Sequence, residues 1–104
     1  HVDLLSRRQA SERIALFLQG MGERYRRIGR SGEDFQLPMS RDEIARYLGL
    51  ALETVSRSFS RLHEDGVLDV RGRRVRVLDA KRLHATASGC EADIARAAAR
   101  PRRA

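Results

Sequence analysis

The stretch from Ser40 to Asp65 constrains the fold of this chain more than any other. Ser40-Arg41-Asp42-Glu43 has the S-x-x-E form of a capping box, in which the serine hydroxyl accepts from the Glu43 amide and the glutamate carboxylate accepts from the Ser40 amide. A helix therefore starts just after Ser40, with Ile44, Ala45 and Leu48 on its inner face. Gly49 stops it, because glycine takes a left-handed backbone without steric cost. A second helix is expected from about Leu52 to Asp65, with Leu52, Val55, Phe59 and Leu62 on one face and Gly66 beyond its end. Two short helices joined by Gly49-Leu50-Ala51 must cross steeply, and Ala45 is small enough to let their backbones approach. The spacing predicts a helix-turn-helix; an αα-hairpin used only for packing is the competing outcome.

Upstream, Ile14, Phe17, Leu18, Met21, Tyr25 and Ile28 recur at three- and four-residue steps, the stripe of an amphipathic helix over residues 6–28. Gly20 and Gly22 weaken it and leave room for a bend there. Gly29, Ser31 and Gly32 break the pattern, and Phe35 to Leu37 is a short extended piece closed by Pro38. After Gly66 the period changes. Val67, Leu68 and Val70 lead to Arg71-Gly72-Arg73, and Arg74-Val75-Arg76-Val77 alternates charged and apolar side chains, which predicts a β-hairpin with a half-buried strand. Residues 84–104 are rich in Ala and Arg with few large apolar groups, so fraying or disorder is expected, with at most a short helix over 91–99.

The fold class is thus mainly α with a small β-hairpin, a winged helix-turn-helix. Three parts are expected: residues 1–11 as the end of a preceding dimerisation helix or linker, 12–80 as the folded domain, and 81–104 as a loose tail. A chain of 104 residues has room for one modest core. It contains no apolar run long enough to span a membrane and no signal-peptide pattern. Its lone cysteine, Cys90, makes an internal disulfide impossible and fits a reducing cytoplasm. No enzyme site assembles: His1, His63 and His84 stand apart from Cys90 without metal-ligand spacing, and neither a nucleophile elbow nor a Gly-rich phosphate loop is present.

Net charge says less than it first suggests. The chain carries +7, but residues 1–80 hold 15 Lys/Arg against 12 Asp/Glu while residues 81–104 hold 6 against 2, so more than half of the excess lies in the tail. Arg100, Arg102 and Arg103 there supply either nonspecific, salt-screened attraction or mere solubility. Placement is more telling. Glu53, Ser56 and Arg57 stand at i, i+3 and i+4 and project from one surface of the second helix. Arginine matches O6 and N7 of guanine, glutamate accepts from N4 of cytosine, and serine bonds either way or packs near a thymine methyl. With only 5% aromatic residues and no Trp, the composition suits a duplex better than a stacked single strand. An ordinary Glu53–Arg57 surface pair is the competing reading.

The run Leu37-Pro38-Met39-Ser40-Arg41-Asp42-Glu43-Ile44-Ala45-Arg46-Tyr47-Leu48-Gly49-Leu50, followed by Leu52-Glu53-Thr54-Val55-Ser56-Arg57, resembles the carboxy-terminal domain of the Crp/Fnr regulators. The resemblance covers roughly residues 12–80. E-x-x-S-R is similar to the Fnr branch, whose half-site is TTGAT in an inverted repeat; the cAMP-responsive branch usually has Arg and Gly where this chain has Leu52 and Ser56. The resemblance implies that Glu53 and Arg57 read the central G·C pair and Ser56 a neighbouring T. It further implies double-stranded DNA and RNA polymerase as partners, a homodimer in the full-length protein, and any iron–sulfur cluster in an amino-terminal sensor domain rather than in these residues. No cofactor or metal is expected here. For phosphate contacts the candidates are Ser40, Arg41, Thr54, Arg61 and Arg74, with Arg46, Arg71, Arg73 and Arg76 as further cations. On this reading Arg74→Ala weakens binding to all sequences alike. A protein-binding winged helix that touches no DNA remains the alternative from another class.

Overall fold

The computed structural model describes residues 4–89, with side chains from Arg7 onward. Helix α1 (Leu4–Arg27) leads to strand β1 (Asp34–Gln36), then α2 (Arg41–Leu48), α3 (Leu52–Glu64) and the strands β2 (Leu68–Arg71) and β3 (Arg74–Val77). Residues 80–89 form a further helix, α4.

The capping box forms as the sequence predicts. Ser40 N–H donates to Glu43 Oε1 at 2.8 Å, and Glu43 N–H donates to Ser40 Oγ at 3.1 Å. Gly49 closes α2 with φ 72°, and the Leu50 amide reaches back to the Ala45 carbonyl at 2.9 Å. That closure satisfies carbonyls that the helix end would otherwise leave open. Ile44 and Ala45 of α2 and Val55, Phe59 and Leu62 of α3 are buried together with Ile14, Ala15 and Leu18 of α1 in one core. Leu52 departs from expectation: as the first residue of α3 it is 47% exposed.

The sheet is larger than a hairpin. Strands β2 and β3 pair antiparallel through Val70↔Val75, turning at Gly72 with φ 59°. A glycine with positive φ at the first central position suits a two-residue hairpin turn. The extended piece read at Phe35 adds β1 on the other side of β3, Phe35 opposite Val75, giving the order β1-β3-β2. Two neighbouring strands therefore flank β3, and Val75 is fully buried.

Three boundaries are corrected. Helix α1 runs without interruption from Leu4 to Arg27, across the border expected between residues 11 and 12, and Ala10 on the near side of that border is buried. Ile28 lies past the helix end and is 69% exposed rather than part of the stripe. The expected loose tail is structured as far as Gly89: Leu83 and Ala87 of α4 join the core. Asp79 starts this helix, its Oδ1 accepting from the Arg82 amide at 3.1 Å. The proposed helix over 91–99, Cys90 and the tail arginines lie outside the described residues.

The two glycines of α1 differ. Gly20 has open space around it, whereas a Cβ at Gly22 would run into the backbone carbonyl of Gly32. Gly20→Ala is accordingly expected to stabilise the fold by up to about 1 kcal/mol through helix propensity. Gly22→Ala is expected to destabilise by about 1–3 kcal/mol, because loop 28–33 must move off the helix. Thermal unfolding of the two variants checks the opposite signs.

Candidate nucleic-acid interface

Helix α3 is anchored by one face and free on the other. Val55, Ser58, Phe59 and Leu62 are buried; Glu53, Ser56, Arg57 and Ser60 are exposed. The helical period separates these two sets, since residues three and four apart share a side. Ala51 precedes the helix without a side-chain cap. Amides at such a start favour anions, through their N–H groups and the helix dipole. Thr54, in this first turn, is half-buried.

Glu53 and Arg57 are brought together, Arg57 Nη2 donating to Glu53 Oε2 at 2.8 Å. Both side chains are more than two-thirds exposed. An exposed i,i+4 pair contributes only about 0.3–0.5 kcal/mol, so a stronger partner opens it at little cost. The surface pair is therefore formed, and it is compatible with both readings of these residues.

The candidate phosphate contacts fare differently. Ser40 Oγ is engaged as an acceptor in the cap, which leaves its O–H to donate. Arg61 is half-buried. Arg41 is turned inward: its Nη2 donates to the Gly72 carbonyl at 2.6 Å, and its guanidinium lies 4.1 Å from the centre of the Phe59 ring. Nη1 is buried without a hydrogen-bond partner. Burial, helped by the nearby Arg73 cation, pulls the Arg41 pKa below its ordinary value. Arg41 thus ties α2 to the hairpin turn. Arg74 is also committed, its Nε and Nη2 each donating to an Asp34 carboxylate oxygen at 3.0 Å. Arg74→Ala would therefore disturb the β1–β3 pairing, which makes Arg76, exposed on the same strand, the better choice for a general loss of affinity. Among the remaining cations, Arg46 pairs with Asp42 at 3.2 Å, Arg71 with Asp69 at 3.4 Å, and Arg73 donates to the Pro38 carbonyl at 3.2 Å.

These pairs carry a pH dependence. Hydrogen bonding from Arg74 holds the Asp34 carboxyl below its ordinary value, and the bond from the Ser40 amide does the same for Glu43. A carboxyl depressed in the folded state stabilises above its unfolded pKa, and that stabilisation disappears as pH falls through the folded pKa. Acid titration of unfolding should show stability falling as pH drops below about 4, near the unfolded carboxyl values. Asp34→Asn and Glu43→Gln should each flatten that slope.

One residue was invisible to sequence reasoning. His63, near the end of α3, accepts from the Val70 amide of β2 at Nδ1, 3.0 Å away, with Asp69 Oδ1 at 3.9 Å. A neutral ring that accepts at Nδ1 carries its proton on Nε2. His63 therefore fixes the wing against the exposed helix. Its only sequence signal is a histidine seven positions before Val70 of the first hairpin strand, which no periodicity picks out. Among the described residues, no group of three or more His, Cys, Asp or Glu is placed to hold a metal, and no helix is long and apolar enough to cross a membrane.

Comparison with known proteins bears on this arrangement directly. The family model of the Crp-like helix-turn-helix domain matches residues 12–86. The transcriptional activator protein FnrA of Stutzerimonas stutzeri is 51% identical over 86 residues, which cover 83% of this chain and 35% of that protein. Among solved structures, FixK2 from Bradyrhizobium japonicum is similar with a TM-score of 0.64 at 45% identity, covering 72% of this chain and 36% of that one. The catabolite activator protein of Thermus thermophilus gives a TM-score of 0.65 at 34% identity, covering 82% and 37%. The chain spans about a third of the length of these relatives. With the capped α2, the Gly49 turn and the exposed face of α3 all in place, the chain belongs to the Crp-like helix-turn-helix family, the DNA-binding domains of Crp/Fnr transcription regulators.

Proposed function

We propose that α3 lies in the major groove of a TTGAT-like half-site, with Glu53 and Arg57 at the central G·C pair and Ser56 at a neighbouring T. The supporting observation is the exposure of all three side chains on one face of a helix whose opposite face is buried. A major groove admits one α-helix, and an arginine–guanine pair with a carboxylate beside cytosine N4 gives directional readout. Ser40 at the cap of α2 and Thr54 and Arg61 on α3 are the phosphate candidates, and the amides at the start of α3 suit the same ligand. Two such domains in a dimer reach half-sites about one helical turn apart on one face of the duplex. Recruitment of RNA polymerase, transcription activation and a cytoplasmic setting complete this reading. Any iron–sulfur cluster belongs outside these 104 residues, since a cluster takes several cysteine thiolates and the chain has only Cys90.

Mobility-shift titration on duplexes with TTGAT and with a scrambled half-site tests the proposal. Preferential binding to the first is expected; equal affinity for both would favour a winged helix that serves a protein partner instead.

A further inference from the structure

Between α1 and α2 runs a groove of about 470 Å³ whose walls include Leu16, Phe17, Gly20, Met39 and Tyr47. Leu16 is 53% and Tyr47 76% exposed, and the Phe17 and Tyr47 rings stand 6.0 Å apart. Gly20 leaves its part of the wall open. An exposed apolar patch with a polar rim marks an interaction surface. None of Glu53, Ser56 or Arg57 contributes to it, so the groove is built from residues other than those of the DNA-reading face.

The rim decides what fits. Arg13 and Arg24 line the groove, and no Asp or Glu does. Arg13 is held in place by its bond to the Leu48 carbonyl at 3.2 Å, while Arg24 has no ion pair among the described residues. An apolar wall would desolvate a phosphate backbone without returning hydrogen bonds. A second copy seated on the same groove would bring its own Arg13 and Arg24 against this basic rim, like charge on like. We propose that this groove docks an acidic amphipathic helix of a partner protein, its apolar stripe seated along Leu16, Phe17 and Tyr47 and its carboxylates on Arg13 and Arg24. Such a ligand uses the helix-in-groove mode, in which apolar anchors at i, i+3 or i+4, and i+7 supply the contact and flanking charges the selection.

The test titrates the isotope-labelled chain, followed by amide NMR, with a synthetic helical peptide of about 14 residues that carries a Leu/Phe stripe flanked by Glu. A second peptide has Lys at every Glu position, and a third scrambles the order of the first. Saturable shifts confined to residues around Leu16, Phe17, Gly20 and Tyr47 are expected with the Glu peptide. Binding of the Lys and scrambled peptides should be at least about tenfold weaker. Tyr47→Ala, an exposed change that leaves the core untouched, should weaken the Glu peptide, Gly20→Gln should block it, and Arg24→Glu should shift preference toward the Lys peptide. Absence of saturable shifts in the groove, equal binding of the Glu and Lys peptides, or shifts centred on α3 would each overturn the proposal.

Discussion

Arg57→Ala is expected to raise the Kd for a TTGAT duplex by about 5- to 150-fold, equivalent to roughly 1–3 kcal/mol, with the loss concentrated at the central G·C pair. In the free protein the guanidinium rests on Glu53 at 2.8 Å. Opening that exposed pair is cheap, whereas a bidentate contact to guanine supplies more than the pair gives up. Arg57→Lys separates charge from geometry. It keeps the cation and hence the nonspecific, salt-dependent affinity, but loses the planar fork that recognises O6 and N7 together. Arg76→Ala should behave in the opposite way, weakening every sequence alike and reducing the slope of log K against log salt by about one. Competition titrations at several salt concentrations distinguish the three outcomes. If Arg57→Ala left the ratio of specific to nonspecific affinity unchanged, the base-reading role would be wrong and the Glu53–Arg57 pair would be only a surface feature.

Phe59→Ala is expected to cost about 3–5 kcal/mol of folding stability. The ring is 2% exposed and sits in the core on the inner face of α3. Its removal loses the transfer free energy of an aromatic side chain and leaves a cavity that the crossing helices cannot close without shifting. It also removes the surface beneath the Arg41 guanidinium, whose Nη1 is sheltered there without a hydrogen-bond acceptor. Against a typical net stability of about 5–15 kcal/mol, a loss of this size is severe. Phe59→Leu keeps most of the volume and should cost less than about 1.5 kcal/mol. Urea unfolding gives both values, with an unchanged m-value confirming that the denatured state is the same. A Phe59→Ala loss below 1 kcal/mol, on the scale of an average substitution, would show that the ring does not organise this corner.

The features that could be read along the chain are those whose partners lie within a turn or two. The Ser40–Glu43 cap and the left-handed Gly49 depend on contacts at most five residues away and form as expected, and apart from Leu52 the two sides of α3 follow its own helical period. The α4 start was legible for the same reason, in Asp79 three residues before Arg82, but the Ala- and Arg-rich composition of the tail obscured it. Sequence alone therefore determined the helix-turn-helix and which side of α3 faces outward. Tertiary structure decided what the neighbouring arginines do. Arg74 meets Asp34 across 40 positions, and Arg41 meets Gly72 across 31. A guanidinium on a half-buried strand or at a helix start reads as an available phosphate ligand until the fold shows which carboxylate, carbonyl or ring stands beside it. Likewise β1 became part of the sheet, and Leu83 part of the core, because closing the chain placed an unpaired strand edge and an apolar surface next to them. Local hydrogen bonding and periodicity are properties of neighbouring residues; the partners of long charged side chains and of short extended segments are set by the packing of the whole domain.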